Sequence, residues 1–328
     1  MKCWSIRFLL VAICLLLTIV NSPAPLVYQP GEGWTYEAVG GEGKWQRTRA
    51  KDQLEVARVA LDKKDYSVAL KSARRTVKVW PLSDYAPEAQ YIVARCYEAR
   101  GNDERAFKEY QRIVEKYPRL TLFQEVLQRQ YDIANRYLAG KHFRVLGYVP
   151  LYRSMDKTAA MYEKIVRTGP YSEVAPQAQI KIGAAREQQK KYPEAVKAYE
   201  LAADRYNDRP LIAADATFKA GLAHTKQAQK AEYDQSAAAA AIATFTDFVT
   251  LFPNDSRVKQ AQQIMDDLRA EQARGSFEIA KFYEQRNRYQ GALVYYNEVL
   301  LLDPTSKYAN DSRKRIDELK ARVTASPN

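Results

Sequence analysis

Few residues of this 328-residue chain have the types and spacing that catalysis or metal binding requires. Its two histidines, His142 and His224, lie far apart in the sequence, whereas histidines that bind a metal recur within a few positions. Asp266 and Asp267 are adjacent carboxylates, but they fall in a charged helical segment, where a solvated face is their ordinary role. The sequence contains no phosphate-binding loop, no dinucleotide-binding glycine motif and no C-x-x-C pair. It therefore predicts neither an enzyme nor a bound cofactor or metal, and it favours a protein that binds other proteins.

The N-terminus predicts an exported chain. Lys2 and Arg7 precede an uncharged apolar run, Phe8 to Val20, whose thirteen residues are too few to cross a bilayer comfortably. Small residues at 22–24 suit a signal peptidase, whereas Pro25 is unfavourable for cleavage. Residues 1–24 are therefore a signal peptide or an N-terminal anchor, and an anchor would associate the protein with a membrane.

The cysteines add little to this prediction. A lipidated cysteine requires small residues before it and an apolar run that ends there, but Ile13 precedes Cys14 and the run continues to Val20. Lipidation at Cys14 is therefore disfavoured. Without the leader only Cys96 remains, so no intramolecular disulfide can form, and Cys96 is expected to pack as a small hydrophobic residue.

A regular interval between small residues defines the elements that would carry a binding surface. In four places an alanine follows a small residue at an interval of twelve positions, and in two further places an insertion widens the interval. This pattern is typical of the tetratricopeptide repeat, a helix–turn–helix unit of about 34 residues. It predicts an all-α fold, a right-handed superhelix of about six repeats. The regular pairs are Ala57/Ala69, Ala94/Ala106, Gly183/Ala195 and Ala280/Ala292, and the widened pairs are Ala134/Thr158 and Gly221/Ala241.

The repeats divide the rest of the chain. Residues 25–47 are rich in glycine, proline and aromatic residues, which indicates an extended linker. Repeats fill 48–155 and 156–322, and residues 323–328 are expected to fray. The insertion in the third repeat is apolar, aromatic and basic, and it includes Phe143, Tyr148 and Tyr152. Two roles are open for it: it covers the array's own groove, or it contacts a partner or the membrane interface.

Charge restricts the class of partner. The net charge is +12, from 51 Lys and Arg against 39 Asp and Glu, and the excess is spread along the helices. Such a dispersed positive field suits an anionic partner or a membrane surface. Because no basic arm or nucleic-acid motif accompanies it, nucleic-acid binding is not expected.

The C-terminal half resembles a known family. Residues 242–268, IATFTDFVTLFPNDSRVKQAQQIMDDL, are followed by a long helical segment and EIAKFYEQRNRYQGALVYYNEVLLLDPTSKYANDS. This order, with Ala280, Tyr283 and Arg286 in an A-x-x-Y-x-x-R element, looks like the outer-membrane assembly lipoprotein BamD, as does PYSEVAPQAQ from Pro170. The resemblance covers about half the chain. Two features depart from the family: BamD-like proteins usually have about five repeats and a lipidated cysteine, whereas this chain has about six and no good lipidation motif.

The resemblance implies a periplasmic scaffold of the β-barrel assembly machinery at the outer membrane. Family members hold a BamA-like subunit through their C-terminal repeats, and their N-terminal repeats receive unfolded outer-membrane proteins. An arginine on the long helix before the last repeat pairs with an acidic residue of the partner, and Arg269 and Arg274 are the candidates here. The alternative is a general periplasmic repeat adaptor that coordinates cell-envelope or peptidoglycan machinery. A cytosolic type of co-chaperone is opposed by the export signal.

Overall fold

Pairs of antiparallel helices account for almost all of the regular structure. A computed structural model of the chain describes residues 26–31, 33–36, 45–118, 121–145, 149–230 and 235–325. These residues form thirteen α-helices and four short strands. The predicted leader, with Cys14, and Tyr148 of the insertion lie outside the described residues. The helices are α1 (Ala50–Asp62), α2 (Tyr66–Val79), α3 (Ala86–Ala99), α4 (Asp103–Lys116), α5 (Phe123–Leu138), α6 (Met155–Thr168), α7 (Ala175–Gln188), α8 (Tyr192–Arg205), α9 (Pro210–Lys230), α10 (Gln235–Leu251), α11 (Val258–Gln285), α12 (Tyr289–Leu302) and α13 (Lys307–Ala325).

The helices follow the predicted repeats. Six consecutive pairs, α1/α2 to α11/α12, correspond to the six small-residue pairs, and α13 follows the last of them. The all-α prediction is confirmed. One difference concerns α11, which is a single helix of 28 residues and joins the long lead-in to the first helix of the sixth repeat.

The chain divides into two compact units. The first comprises Met1–Ile133 with Arg144–Val149, and the second comprises Ala134–Phe143 with Pro150–Asn328. Helices α1 to α4 pack in sequence order in the first unit, and α6 to α13 do so in the second. The domain boundaries expected from the sequence remain predictions.

Local signals set the ends of the helices. The Asp65 side chain accepts a hydrogen bond from the Val68 amide at the start of α2, and Asn102 does the same for Arg105 at the start of α4. These side chains satisfy amides that have no partner within the helix. Helices α3, α7 and α8 carry a proline in their first turn, where its missing N–H costs no hydrogen bond.

One turn geometry recurs in the four regular repeats. The residue seven positions after the small residue of the first helix has a positive φ, between 57° and 69°. It is Lys64, Gly101, Lys190 or Asn287, in repeat order. This left-handed residue ends the first helix and reverses the chain within a few positions, which keeps the interval between the paired small residues at twelve.

Two short two-stranded sheets interrupt the helical pattern, and the first of them is antiparallel. In the segment expected to be an extended linker, β1 (Leu26–Gln29) pairs with β2 (Gly33–Tyr36) in the register Leu26↔Tyr36 to Gln29↔Gly33. In the insertion of the third repeat, β3 (Phe143–Val145) and β4 (Val149–Tyr152) form the second sheet. Among the helices of the described residues, none combines the length and apolar character needed to cross a bilayer.

Candidate functional site

The small residues of the repeat pattern lie where paired helices cross. Ala57, Ala69, Ala94 and Ala106 are fully buried, as are Ala195, Ala241, Ala280 and Ala292. Gly183 and Gly221 are also buried. A Cβ atom on Gly183 would lie 2.4 Å from the Tyr199 ring, and one on Gly221 would lie 2.7 Å from the Phe245 ring. The absent side chains therefore allow aromatic rings of the second helix to pack directly on the first.

A buried tyrosine links the two helices in three of the regular repeats. It lies four positions after the alanine of the second helix and donates its hydroxyl to a glutamate on the first helix. The oxygen atoms are 2.7 Å apart in each pair: Tyr110–Glu98, Tyr199–Glu187 and Tyr296–Glu284. Burial, and then the adjacent carboxylate, raises the pKa of each tyrosine above its usual 10.0. The phenols therefore stay neutral donors at physiological pH.

The same glutamates also contact the helix that follows the repeat. Arg129 Nη1 lies 3.6 Å from Glu98, Lys226 Nζ lies 2.9 Å from Glu187, and Arg315 Nη1 lies 3.7 Å from Glu284. Each tyrosine–glutamate–cation triad thus joins three consecutive helices. These residues build the array, and they are engaged with one another instead of being offered to a partner.

Sequence reasoning missed a second set of structural residues, the buried glutamines of the first helices. They lie four positions before the small residue, so Gln-x-x-x-small is the signal that would have found them. Their side-chain amides donate to the facing helix: Gln53 to Ser72, Gln90 to Glu109 at 2.7 Å, Gln130 to Gln111 at 3.0 Å, and Gln179 to the Ala198 carbonyl at 3.2 Å. These bonds satisfy amide nitrogens that burial would otherwise leave unpaired.

A groove lies between α6, α7 and α8 of the second unit, with a volume of about 490 Å³. Its apolar lining is formed by buried Val166, Ile182 and Ala198 and by Leu201, which is 44% exposed. Concave surfaces with an apolar floor and a few polar groups are the usual form of a ligand or peptide site. This groove is one candidate binding site in the second unit.

The charges around the groove are arranged unevenly. At one end, the Arg186 guanidinium contacts three carboxylates: Asp156 at 2.8 Å, Glu163 at 3.3 Å and Glu194 at 3.4 Å. Arg167 and Lys197 also line the groove and are exposed, and within the part of the chain that the structure describes neither forms an ion pair. The cation Arg205, in the last turn of α8, completes this lining.

A second candidate surface is the outward face of α12. Val294 is 65% exposed and Leu301 is 84% exposed, and they lie seven positions apart on one side of the helix. The equivalent exposed positions, two and nine residues after the paired alanine, carry charges in the other regular repeats. They are Lys71 and Lys78 on α2, Lys108 and Glu115 on α4, and Lys197 and Asp204 on α8. Helix α12 therefore exposes apolar side chains where its counterparts are solvated.

The arginines named from the sequence lie on α11. Arg269 is 40% exposed and contacts Asp266 at 3.1 Å, while Arg274 is 51% exposed and contacts Glu271. The Glu271 carboxylate raises the pKa of Arg274. Both acidic partners are also exposed and lie on the same helix, so these pairs are weak and a partner can replace them.

Of the two roles left open for the insertion of the third repeat, Phe143 takes the packing one. This ring is 1% exposed and stacks on Tyr137 with 4.1 Å between ring centroids, so it is a packing residue and offers no surface to a partner. An aromatic residue in an apolar insertion can pack against the protein's own helices or lie exposed at the surface, and the sequence does not distinguish the two. Tyr152 is 36% exposed and its hydroxyl accepts a hydrogen bond from Lys157.

The reactive residue types are dispersed. Within the described ranges, no three His, Cys, Asp or Glu side chains are grouped so that they could hold a metal ion. Cys96 is fully buried, and burial raises the pKa of its thiol to about 11. Partial burial lowers the pKa of His224, which favours its neutral form.

Comparisons with known proteins agree with the repeat architecture. Residues 54–121 match the family model described as a tetratricopeptide repeat, TPR_16, and the chain is a tetratricopeptide repeat protein. Proteins with these repeats mediate protein–protein interactions. Residues 151–302 match a second family model, YfiO, described as an outer membrane lipoprotein. The chain is a BamD-like member of the tetratricopeptide repeat proteins.

The chain also matches solved structures of other repeat proteins, each with a TM-score below 0.5. The C-terminal part of a repeat-containing protein from Cytophaga hutchinsonii is 16% identical, with 80% of this chain and 87% of that chain covered and a TM-score of 0.38. A repeat protein from Bacteroides fragilis is 13% identical, with 84% and 100% covered and a TM-score of 0.38. One from Parabacteroides merdae is 12% identical, with 81% and 98% covered and a TM-score of 0.34. No curated protein matches the chain.

Proposed function

We propose that this protein is a non-catalytic scaffold of the outer-membrane β-barrel assembly machinery, which binds a BamA-like partner and unfolded outer-membrane clients. The observation that carries the proposal is the apolar outward face of α12, within the segment that matches an outer-membrane lipoprotein family. Tetratricopeptide arrays, BamD-like ones included, are typically scaffolds for other proteins, which agrees with a binding role.

The composition of α12 supports a partner on this face. The helix has one charged residue, Glu298, among fourteen, whereas α4 has eight charged residues among fourteen. A helix that is apolar on all sides is normally buried on all sides. Helices α11 and α13 cover only part of α12, so a partner protein is expected to cover Val294 and Leu301.

Site-specific photocrosslinking in intact envelopes tests this assignment. A photoreactive amino acid at Val294 or Leu301 should capture a BamA-like protein. The same group at Lys108 or Lys197, which occupy the position of Val294 in other repeats, should capture much less of it. Recovery of cell-wall enzymes in place of a BamA-like protein would favour the general envelope adaptor.

Arg269 and Arg274 provide a second, electrostatic test on α11. Because each arginine is at least 40% exposed, its reversal to glutamate should leave the fold intact. Recovery of the BamA-like partner by the double variant should fall by at least about ten-fold if both arginines pair with acidic residues of the partner. Unchanged recovery of the partner would show that Arg269 and Arg274 lie outside the interface. It would not affect the assignment of α12, which the crosslinking experiment tests separately.

A further inference from the structure

The groove between α6, α7 and α8 combines an apolar floor with cations that form no ion pair within the described residues. The guanidinium of Arg186 is already neutralised by Asp156, Glu163 and Glu194. Arg167 and Lys197 form no ion pair among the described residues and are exposed at the groove, although Glu163 and Glu194 lie one turn before them on their own helices. A cation next to apolar surface, without an internal partner, favours an anionic ligand that also carries apolar groups.

The shape of the groove favours an extended chain. Its lining on α8 runs from Glu194 to Arg205, residues eleven positions apart and on one face of the helix. At the rise of an α-helix this distance is about 16 Å, which about five residues of extended peptide would span. Alternate side chains of such a peptide would face Leu201 and the cations in turn.

We propose that this groove binds an extended, acidic peptide segment, with its carboxylates at Arg167, Lys197 and Arg205 and its apolar side chains on Val166, Ile182 and Leu201. The carboxylates Glu163 and Glu194 at the Arg186 end disfavour an acidic residue there. Arg167 and Arg205 lie in the last turns of α6 and α8, so the acidic end of the peptide lies toward those turns, and Lys197 lies between them and the Arg186 end. This inference deepens the proposed binding of clients and rests on it, because it assigns a chemical class of client to one groove.

The test measures binding of a fluorescent peptide to the full chain. The probe is a nonapeptide of alternating glutamate and leucine, and its comparison is the same peptide with glutamine in place of glutamate. The acidic peptide should bind at least about ten-fold more tightly, and its affinity should fall as salt rises from about 0.05 to about 0.5 M. Equal affinity for the two peptides would overturn the inference.

Matched charge reversals locate the site. The variant Arg167→Glu/Lys197→Glu should weaken binding of the acidic peptide at least about ten-fold. The control Lys78→Glu/Lys108→Glu changes the net charge equally at the same two repeat positions, outside the groove, and should change affinity by less than about two-fold. An equal loss of affinity in both variants would show that the peptide responds only to the net charge of the protein. Displacement of the peptide by vesicles of anionic lipid would assign the groove to a membrane surface. Either result overturns the inference.

Partner capture separates this inference from the proposed scaffold function. The groove variant should still crosslink the BamA-like protein from Val294 and Leu301, because those residues lie on α12 and outside the groove. Normal capture with unchanged peptide binding would reject the groove assignment alone. If the protein with its natural groove residues fails to capture the BamA-like protein from Val294 and Leu301, the scaffold function is rejected instead.

Discussion

At the residue scale, the packing of the fourth repeat depends on the absence of a Cβ atom at Gly183, next to the Tyr199 ring. The Tyr199 ring is fully buried, and Glu187 accepts a hydrogen bond from its hydroxyl, so a new methyl group at position 183 forces the ring or a helix to shift. Ala94 and Ala280 occupy the position of Gly183 in other repeats, so the sequence identified only a requirement for a small residue. The structure shows that alanine does not fit in the fourth repeat.

Gly183→Ala should therefore lower the free energy of unfolding by about 1–3 kcal/mol, because the added methyl group overpacks the helix crossing. The matched control is Gly275→Ala on α11, where the nearest atom to a new Cβ is the Gln235 amide nitrogen at 3.5 Å. That change should stabilise the protein by about 0.5–1 kcal/mol, because alanine favours a helix interior. Chemical denaturation of both variants measures the difference, and effects of the same sign would contradict the packing argument.

Tyr110→Phe tests the tyrosine–glutamate pairs and their dependence on pH. Near pH 8 the variant should be less stable by about 1–2 kcal/mol, because Glu98 loses a buried donor. Burial raises the pKa of Tyr110 above 10.0, so the stabilising effect of the neutral phenol is complete below pH 10. Above that pH the unfolded chain ionises first, and stability falls by up to about 1.4 kcal/mol per pH unit.

The difference between the natural protein and Tyr110→Phe should therefore narrow as the pH rises from about 8 to about 11, because phenylalanine has no proton to lose. Urea denaturation at several pH values measures this difference. Tyr171→Phe is the control, since Tyr171 is 93% exposed and should show a small difference near pH 8. A constant difference for Tyr110→Phe would mean that its phenol does not control the alkaline transition.

At the scale of elements, the turns of the regular repeats carry strain that the sequence reveals only in part. Gly101 adopts its positive φ without a steric cost, whereas Lys190 and Lys64 carry a Cβ in the same left-handed conformation. Lys190 is also exposed, so its side chain has little packing to compensate for the strain. The interval of twelve predicted a turn here but could not predict which residue would bear a positive φ.

Lys190→Gly should raise the free energy of unfolding by up to about 1 kcal/mol, because relief of the left-handed strain exceeds the entropy cost of glycine. The matched control is Gly101→Ala, which should destabilise the second repeat by a similar amount. Thermal unfolding of the two variants provides the measurement. A loss of stability in Lys190→Gly would show that the turn is not strained.

The sequence predicted the helices better than the segments between them. The paired small residues predicted about six pairs of helices, and the structure has six, from α1/α2 to α11/α12. The strands of the linker and insertion were not predicted, because three or four residues are too few to show an alternating pattern. The groove was not predicted either, since Arg167, Lys197 and Arg205 meet only after α6 and α8 pack on α7.

At the scale of the whole molecule, the residues that pack the helices together differ from the residues that are candidates for binding a partner. Paired alanines, glutamines and tyrosine–glutamate triads recur from repeat to repeat and bury their polar groups among themselves. The candidate binding residues are those that depart from the recurring pattern, such as Val294 and Leu301 in place of charged residues. In a repeat protein, binding residues are therefore expected at positions where one repeat carries a residue type that the other repeats lack.

The packing order in the second unit gives a final prediction about how strain spreads. Helices α6 to α13 contact mainly their neighbours in sequence, so the stability of this unit approximates a sum over repeats and their interfaces. In Gly183→Ala, hydrogen exchange should therefore become faster in α7 and α8 and in the adjoining α6 and α9. Amides of α12 and α13 should keep their protection, because no strained contact reaches them. Mass spectrometry of exchanged peptides measures this, with Gly275→Ala as the control, and a uniform loss from α6 to α13 would show instead that the unit opens as one cooperative body.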